Sequence, residues 1–326
     1  RSAFIAAFFT ALATLRHAAE NSPGIQAAGK YLADQPPGRR YLALTIGGQL
    51  YALVLNYGSI ALLGSLASSA AKTEPNAEIR GHRLRRMLLA IQRGFIATLP
   101  WSPLTFAVAI SLSLVPDAKW SEIVLPCLVS GLILMGTGWA LDTIFKPKLS
   151  RPAPPRSKPE GGLRSLAPLI TLLILLISLI MGLHAITGVR AVAIVLILVP
   201  VISLGWIALQ ATGGHRSEHM REHTLGYLKA DLPAYRNELV LLMMAGFIGT
   251  LGAYLLQPLM SASGFDFSVL PGWLILVSLV WVIPIAGQLG MNPILSVSLL
   301  LPLLPDPGTA GYNANQLIVA TTSGWA

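Results

Sequence analysis

Charged side chains are scarce in this sequence: 11% of its 326 residues are Asp, Glu, Lys or Arg, where a soluble domain carries about a quarter. With 54% hydrophobic residues and a mean hydropathy of +0.65, lipid rather than water must solvate most of the chain. Cysteine is nearly absent. The single Cys127 lies in an apolar run, which excludes disulfides within the chain and thiolate metal sites and reads as a buried thiol. The alternating pattern of a barrel strand is missing, and open sheet would leave unpaired edges in lipid, so helices remain. No phosphate-binding glycine loop, Cys/His zinc spacing, nucleophile elbow or nucleophile–base cluster in the apolar runs is present, and an enzyme is not expected.

What the sequence does have is long apolar runs, at roughly 121–145, 165–186, 191–212 and 239–262, each long enough to cross a hydrocarbon layer about 30 Å thick as a helix. The net charge of +9 does not point to nucleic acid, because the basic residues cluster between apolar runs. Four lie in 16–40, six in 72–93, six in 146–164 and four in 213–237, out of 23 in all. The positive-inside rule places these segments in the cytoplasm, and the connections at 116–120, 187–190, 263–270 and 306–316 outside. The expected location is a bacterial inner membrane. The Pro-rich stretch "KPKLSRPAPPRSKPEGG" at 146–162 reads as an extended cytoplasmic linker within 146–164, between a first unit, 1–145, and a second, 165–326.

Two apolar runs do not fit as single spans. Run 41–70 has cytoplasmic flanks on both sides and is interrupted at Asn56-Tyr57-Gly58-Ser59. Run 271–304 has outer flanks on both sides and is interrupted at "AGQLGMNP". Each reads as a re-entrant hairpin, since Gly and Asn permit the turn and irregular backbone at membrane depth is tolerated only inside protein or beside a polar cavity. The halves also match in order. "IGGQL" at 46–50 parallels "IAGQL" at 285–289, "IATLPWSP" at 96–103 parallels "VATTSGWA" at 319–326, and "AAFFTALATL" at 6–15 echoes "AGFIGTLGAYL" at 245–255. Span, hairpin and broken helix therefore recur with opposite orientation, the organisation of secondary transporters. The expected fold is an all-α polytopic helical bundle of two inverted repeats, each with a re-entrant hairpin (41–70, 271–304) and a broken transmembrane helix (94–115, and from 317).

On these motifs the chain resembles the ion transporter superfamily, which includes divalent-anion/sodium symporters and arsenite permease-like carriers. The resemblance implies that both hairpin tips and both helix breaks form the substrate and ion sites. It places the first tip at Asn56, Tyr57, Gly58 and Ser59 and the first break at Thr98 to Pro103, the second tip around Gln288 to Pro293, and the second break at Thr321, Thr322 and Ser323. It further implies spans before Arg1 and, after Ala326, the rest of the broken helix and a last helix. The Ser-Asn-Thr signature of dicarboxylate symporters is not spelled here.

Broken helices offer free carbonyls to a hard cation and free N–H groups to an anion. Candidate side chains are the amides of Gln49, Asn56, Gln288 and Asn292 and the hydroxyls of Ser59, Thr98, Ser102, Thr321, Thr322 and Ser323, with Tyr57, Gly58 and Pro293 shaping the tips and Trp101 and Trp325 following the breaks. Ionisable residues within or near the spans are few: Glu122, Asp142, Glu238 and His184. The topology puts none of them beside a break. His215, His219 and His223 share a helix face by their spacing of four, in a polar segment that reads as a solvated or membrane-surface helix rather than a metal site. The expected function is secondary active transport of a small-molecule or inorganic anion by alternating access. Na⁺ or H⁺ is the coupling ion, there is no other cofactor, and the partners are the bilayer and a second copy in a homodimer. A channel or uniport exporter on the same scaffold is the alternative, followed by an intramembrane enzyme.

Overall fold

The computed structural model describes residues 2–20, 22–36, 38–115, 117–146, 162–210, 216–263 and 267–326. Among these, all regular structure is helical: α1 (Ser2–Glu20), α2 (Pro23–Ala33), α3 (Arg40–Leu55), α4 (Gly58–Lys72), α5 (Ala77–Ile96), α6 (Phe106–Leu114), α7 (Trp120–Ile144), α8 (Ala167–Thr187), α9 (Ala191–Gln210), α10 (Arg216–Gly226), the one-turn α11 (Leu232–Ala234), α12 (Arg236–Ser263), α13 (Gly272–Gln288), α14 (Pro293–Leu300) and α15 (Ala314–Gly324). Most of the linker, 147–161, lies outside the described residues, as do His215 and the side chain of His219.

Five helical stretches are long and apolar enough to cross a membrane, at Ser2–Glu20, Trp120–Ile144, Leu163–Thr187, Ala191–Gln210 and Arg236–Leu259. Their outer surfaces carry exposed Leu132 and Ile133 on α7, Ile174 and Leu175 on α8, Ile197 and Val201 on α9, and Leu255 and Leu259 on α12. Water would not tolerate so much continuous apolar surface, and lipid does; the chain is an integral membrane protein.

The two irregular apolar runs form helix pairs. Helices α3 and α4 pack on each other and both pack on α5; α13 packs on α14 and on α15. At 16, 15, 17 and 8 residues, α3, α4, α13 and α14 fall short of the roughly 20 a span requires. Close backbone contact binds each first arm to its partner. A Cβ on Gly94 of α5 would lie 2.1 Å from the Thr45 carbonyl oxygen of α3, and one on Gly324 of α15 would lie 2.8 Å from the Leu279 carbonyl oxygen of α13.

The polar segment 72–93, expected as a connection, is instead mostly helix. Asn76 caps α5 by accepting from the Glu78 and Ile79 N–H groups, and the basic residues ride on the same helix that buries Met87, Ala90, Ile91 and Phe95. Arg86 explains the placement, since it forms a two-pronged bond to Asp142 near the end of α7, at 2.9 and 2.6 Å.

Candidate functional site

The interruption at Asn56 separates α3 from α4, which pack on each other. Asn56 has φ +50° and ψ −128° and is the sole non-glycine residue with positive φ among the described residues; this lies outside the left-handed helical region that Asn tolerates, so the turn is strained. Its carbonyl accepts from the Ser59 N–H and hydroxyl, starting α4. Tyr57 is held between Phe95 and Phe106, with ring centroids at 5.1 and 6.4 Å. A Cβ on Gly58 would lie 2.6 Å from Arg16 Nε and 2.7 Å from Glu20 Oε1, so a larger residue there would displace the Arg16–Glu20 ion pair of α1.

The first helix break also forms as expected, at 97–105. Pro100 and Pro103 lack the N–H needed to continue α5. The carbonyl of Leu99, deprived of the Pro103 donor, accepts instead from the Thr105 hydroxyl at 3.2 Å. Turn and break are joined: Asn56 Nδ2 donates to the Leu104 carbonyl at 3.2 Å, and the Leu104 N–H donates to Ser102 Oγ at 3.2 Å. Thr98 is buried and donates to the Phe95 carbonyl, and Trp101 donates to the Ala97 carbonyl. Gln49 is half-buried on α3, and its backbone N–H lies against Gly94. Asn56 Oδ1 is buried with no partner, a costly state for an amide oxygen.

The second half departs from expectation in two places. Thr321, Thr322 and Ser323 are not a break; they lie within α15, which runs on to Gly324, and the hydroxyls of Thr321 and Thr322 donate back to Leu317 and Ile318. Without prolines like Pro100 and Pro103, nothing interrupts the ladder there. The turn at Gln288 to Pro293 is local stop-and-start chemistry. Gly290 takes φ +92°, the Met291 N–H closes back on Ala286, Asn292 caps α14 by accepting from Ile294 N–H at 2.8 Å, and Pro293 takes the first helical position. Gln288 is exposed and Leu289 is 85% exposed, and no described hydrogen bond joins this turn to Asn56.

The halves meet along α1, which packs on α9 and α12, and α7 adds a contact with α15. Gly131 of α7 packs on the Ala97 carbonyl and the Trp101 ring of the first break. One turn earlier, Cys127 lies 3.5 Å from the Thr322 hydroxyl, and Ser323 donates to Ser130 at 3.0 Å. Trp325, just past α15, packs on the Ala52, Phe95, Leu99 and Ala107 cluster of the first break, and its indole N–H is buried without a partner.

Two cavities adjoin these elements. A groove of about 700 Å³ runs between α7, α13 and α15, with Glu122, Asn313, Asn315 and Gln316 among its polar lining, Leu276, Val277 and Val280 on its apolar wall, and Ser130 and Ser323 also facing it. Its size falls within the range of about 300–1,000 Å³ typical of small-molecule sites. The second cavity, about 20 Å³, lies at the first turn among Phe9, Arg16, Asn56, Tyr57, Tyr235 and Glu238. Glu122 and Glu238 therefore do adjoin candidate site residues, contrary to the expectation from topology. Asp142 is committed to Arg86, and His184 caps its own helix end through Val189. His223 does not face solvent with a histidine row; it turns onto α1, 3.3 Å from His17, which in turn donates to the Asp231 carboxylate. Against this geometry, no family model, curated protein or solved structure matches the chain.

Proposed function

We propose that this protein is a secondary active transporter for a small anionic solute, built as two inverted repeats on the plan of the ion transporter superfamily and driven by Na⁺ or H⁺. One observation carries the reading: the strained Asn56 turn is hydrogen-bonded into the proline-made break 97–105, and the helix that seats this break, α7, also holds Thr322 and Ser323 of the second unit. Irregular backbone at membrane depth needs a polar occupant or a protein partner, and an amide oxygen left bare beside it supports an occupant. Helix pairs too short to span support hairpins that enter and leave on one face, the first from the cytoplasm and the second from outside. The groove between α7, α13 and α15 has the size for a small solute.

The test is uptake into proteoliposomes under imposed Na⁺ or proton gradients. Saturable, gradient-dependent accumulation that Asn56→Ala abolishes, with yield and oligomeric profile unchanged, is the expected result. Non-saturating flux that needs no gradient would instead identify a channel or uniport exporter on this scaffold.

A further inference from the structure

We infer that the basic end of the first helix pair is a binding site for the phosphodiester of an anionic phospholipid, with Arg40 of α3 and Arg83 of α5 as its ligands. The inference is independent of what the protein transports and of the Asn56 turn. Arg40 opens α3, and the 16 residues of that helix hold it about 24 Å from the turn at a rise of about 1.5 Å per residue.

The packing of α3 on α5 sets two incompletely satisfied guanidiniums beside each other. Arg83 is half-buried, and its Nε is buried with no hydrogen-bond partner among the described residues, a costly state for a charged donor. Arg40 spends its Nε on the Gln35 carbonyl, at 2.6 Å, which brings no countercharge. Burial, and after it the nearby Arg83, push the Arg40 guanidinium down to about 10; Asp34 opposes that shift and Arg86 adds to it. The carboxylates of this region do not balance the charge. Asp142 is held in the two-pronged bond to Arg86, and Glu74 accepts from the Asn76 N–H. Residues 30–93 carry nine Lys and Arg against three Asp and Glu, and Asp142 is the one carboxylate that α7 brings to this end, so the excess is positive with every carboxylate counted.

A phosphodiester supplies both the missing acceptor and the missing charge. Its oxygens accept from two N–H groups of one guanidinium at once, and Arg83 Nε with a neighbouring Nη forms such a pair after a rotation of the side chain. The surroundings favour a lipid over a soluble phosphate. Next to the cluster, α3 exposes Leu42 and Ile46, one turn apart, and α5 exposes Leu88, apolar surface that acyl chains cover. The two arginines therefore sit where apolar helix surface gives way to charge. That is the level of a phospholipid headgroup, and basic pockets between helices at this level hold anionic headgroups.

The experiment follows the thermal midpoint of the purified full chain in detergent as phosphatidylglycerol is added, with phosphatidylcholine as the zwitterionic control and inorganic phosphate as the soluble one. Phosphatidylglycerol should raise the midpoint saturably, and neither control should. Arg83→Gln and Arg40→Gln should each weaken the apparent affinity about tenfold. Arg83→Lys keeps the charge and loses the fork, so it should fall between wild type and Arg83→Gln. If Arg83→Gln does not fold, an Arg83→Lys response equal to wild type overturns the site. Arg85→Gln removes one charge from an exposed position on the same helix and should bind as wild type does. A loss in Arg85→Gln equal to that in Arg83→Gln means a diffuse basic surface and overturns the site. So does an equal rise with phosphatidylcholine, or a wild-type response in both Arg83→Gln and Arg40→Gln. Equal stabilisation by inorganic phosphate, lost in those two variants, overturns the lipid assignment in favour of a soluble phosphate.

Discussion

At the residue scale, Asn56 combines a backbone requirement with a chemical one, and two substitutions separate them. Asn56→Ala keeps a Cβ at φ +50° but removes the amide that donates to the buried Leu104 carbonyl and should cost about 1–3 kcal/mol. Asn56→Gly relieves the conformational penalty, so its thermal midpoint should lie above that of the Ala variant. Both should lose transport, because both remove the amide. If Gly restores uptake as well as stability, the amide has no role in transport. The sequence marks Asn56 because Asn-Tyr-Gly-Ser is an unmistakable polar break in an apolar run. It does not separate Asn56 from Asn292, although "GMNP" spells a helix stop followed by a cap and Pro. Glu238 is invisible by the same reading, since its contact with the turn crosses more than half of the chain and leaves no spacing to detect.

At the scale of elements, the bundle relies on close helix approach and on a few strong polar ties. Gly94→Ala would put a methyl 2.1 Å from a backbone carbonyl that cannot step aside, and overpacking of this kind costs about 1–3 kcal/mol. Gly136→Ala on α7, with nothing within 4 Å, should leave the melting midpoint unchanged or slightly raised, because Ala is the better helix former. A lowered midpoint for Gly136→Ala equal to that for Gly94→Ala would mean that the detergent, not packing, sets the response. The Arg86–Asp142 pair is bidentate, and Asp142 is 9% exposed. Asp142→Asn should therefore cost about 1–3 kcal/mol, chiefly through the guanidinium left behind. Adding Arg86→Met should recover part of that loss, and a double-mutant cycle in thermal stability reads the coupling. Apolar length and proline placement made the spans and the first break legible. The ends of α5 were not, because a helix rich in Arg reads as a loop until Asp142 is seen opposite it.

At the scale of the whole molecule, charge distribution predicts which ends share a face of the membrane. In a Cys127→Ser background, Arg39→Cys and Lys72→Cys, which flank the first helix pair, should both react with a membrane-impermeant maleimide from the cytoplasmic side only. Ile186→Cys, at the exposed end of α8, and Gly308→Cys, on an exposed connection, should react only from outside. Labelling of Arg39→Cys and Lys72→Cys from opposite sides would turn the first pair into an ordinary crossing and remove the inverted repeat. The packing of the two halves was only half legible, since matching motifs give order along the chain and say nothing about which helices meet across it.

The two ends of α7 are fastened very differently. Towards its C-terminal end it is bolted to the first unit by Arg86–Asp142 and by Arg93 donating to the Gly138 carbonyl at 2.6 Å. Towards its N-terminal end it meets the second unit through one serine pair, one thiol contact and the exposed Glu122–Asn315 bond. Water can replace the serine, thiol and amide contacts near the N-terminal end of α7 far more readily than the guanidinium–carboxylate pair near its other end, so local opening of this helix starts from its N-terminal side.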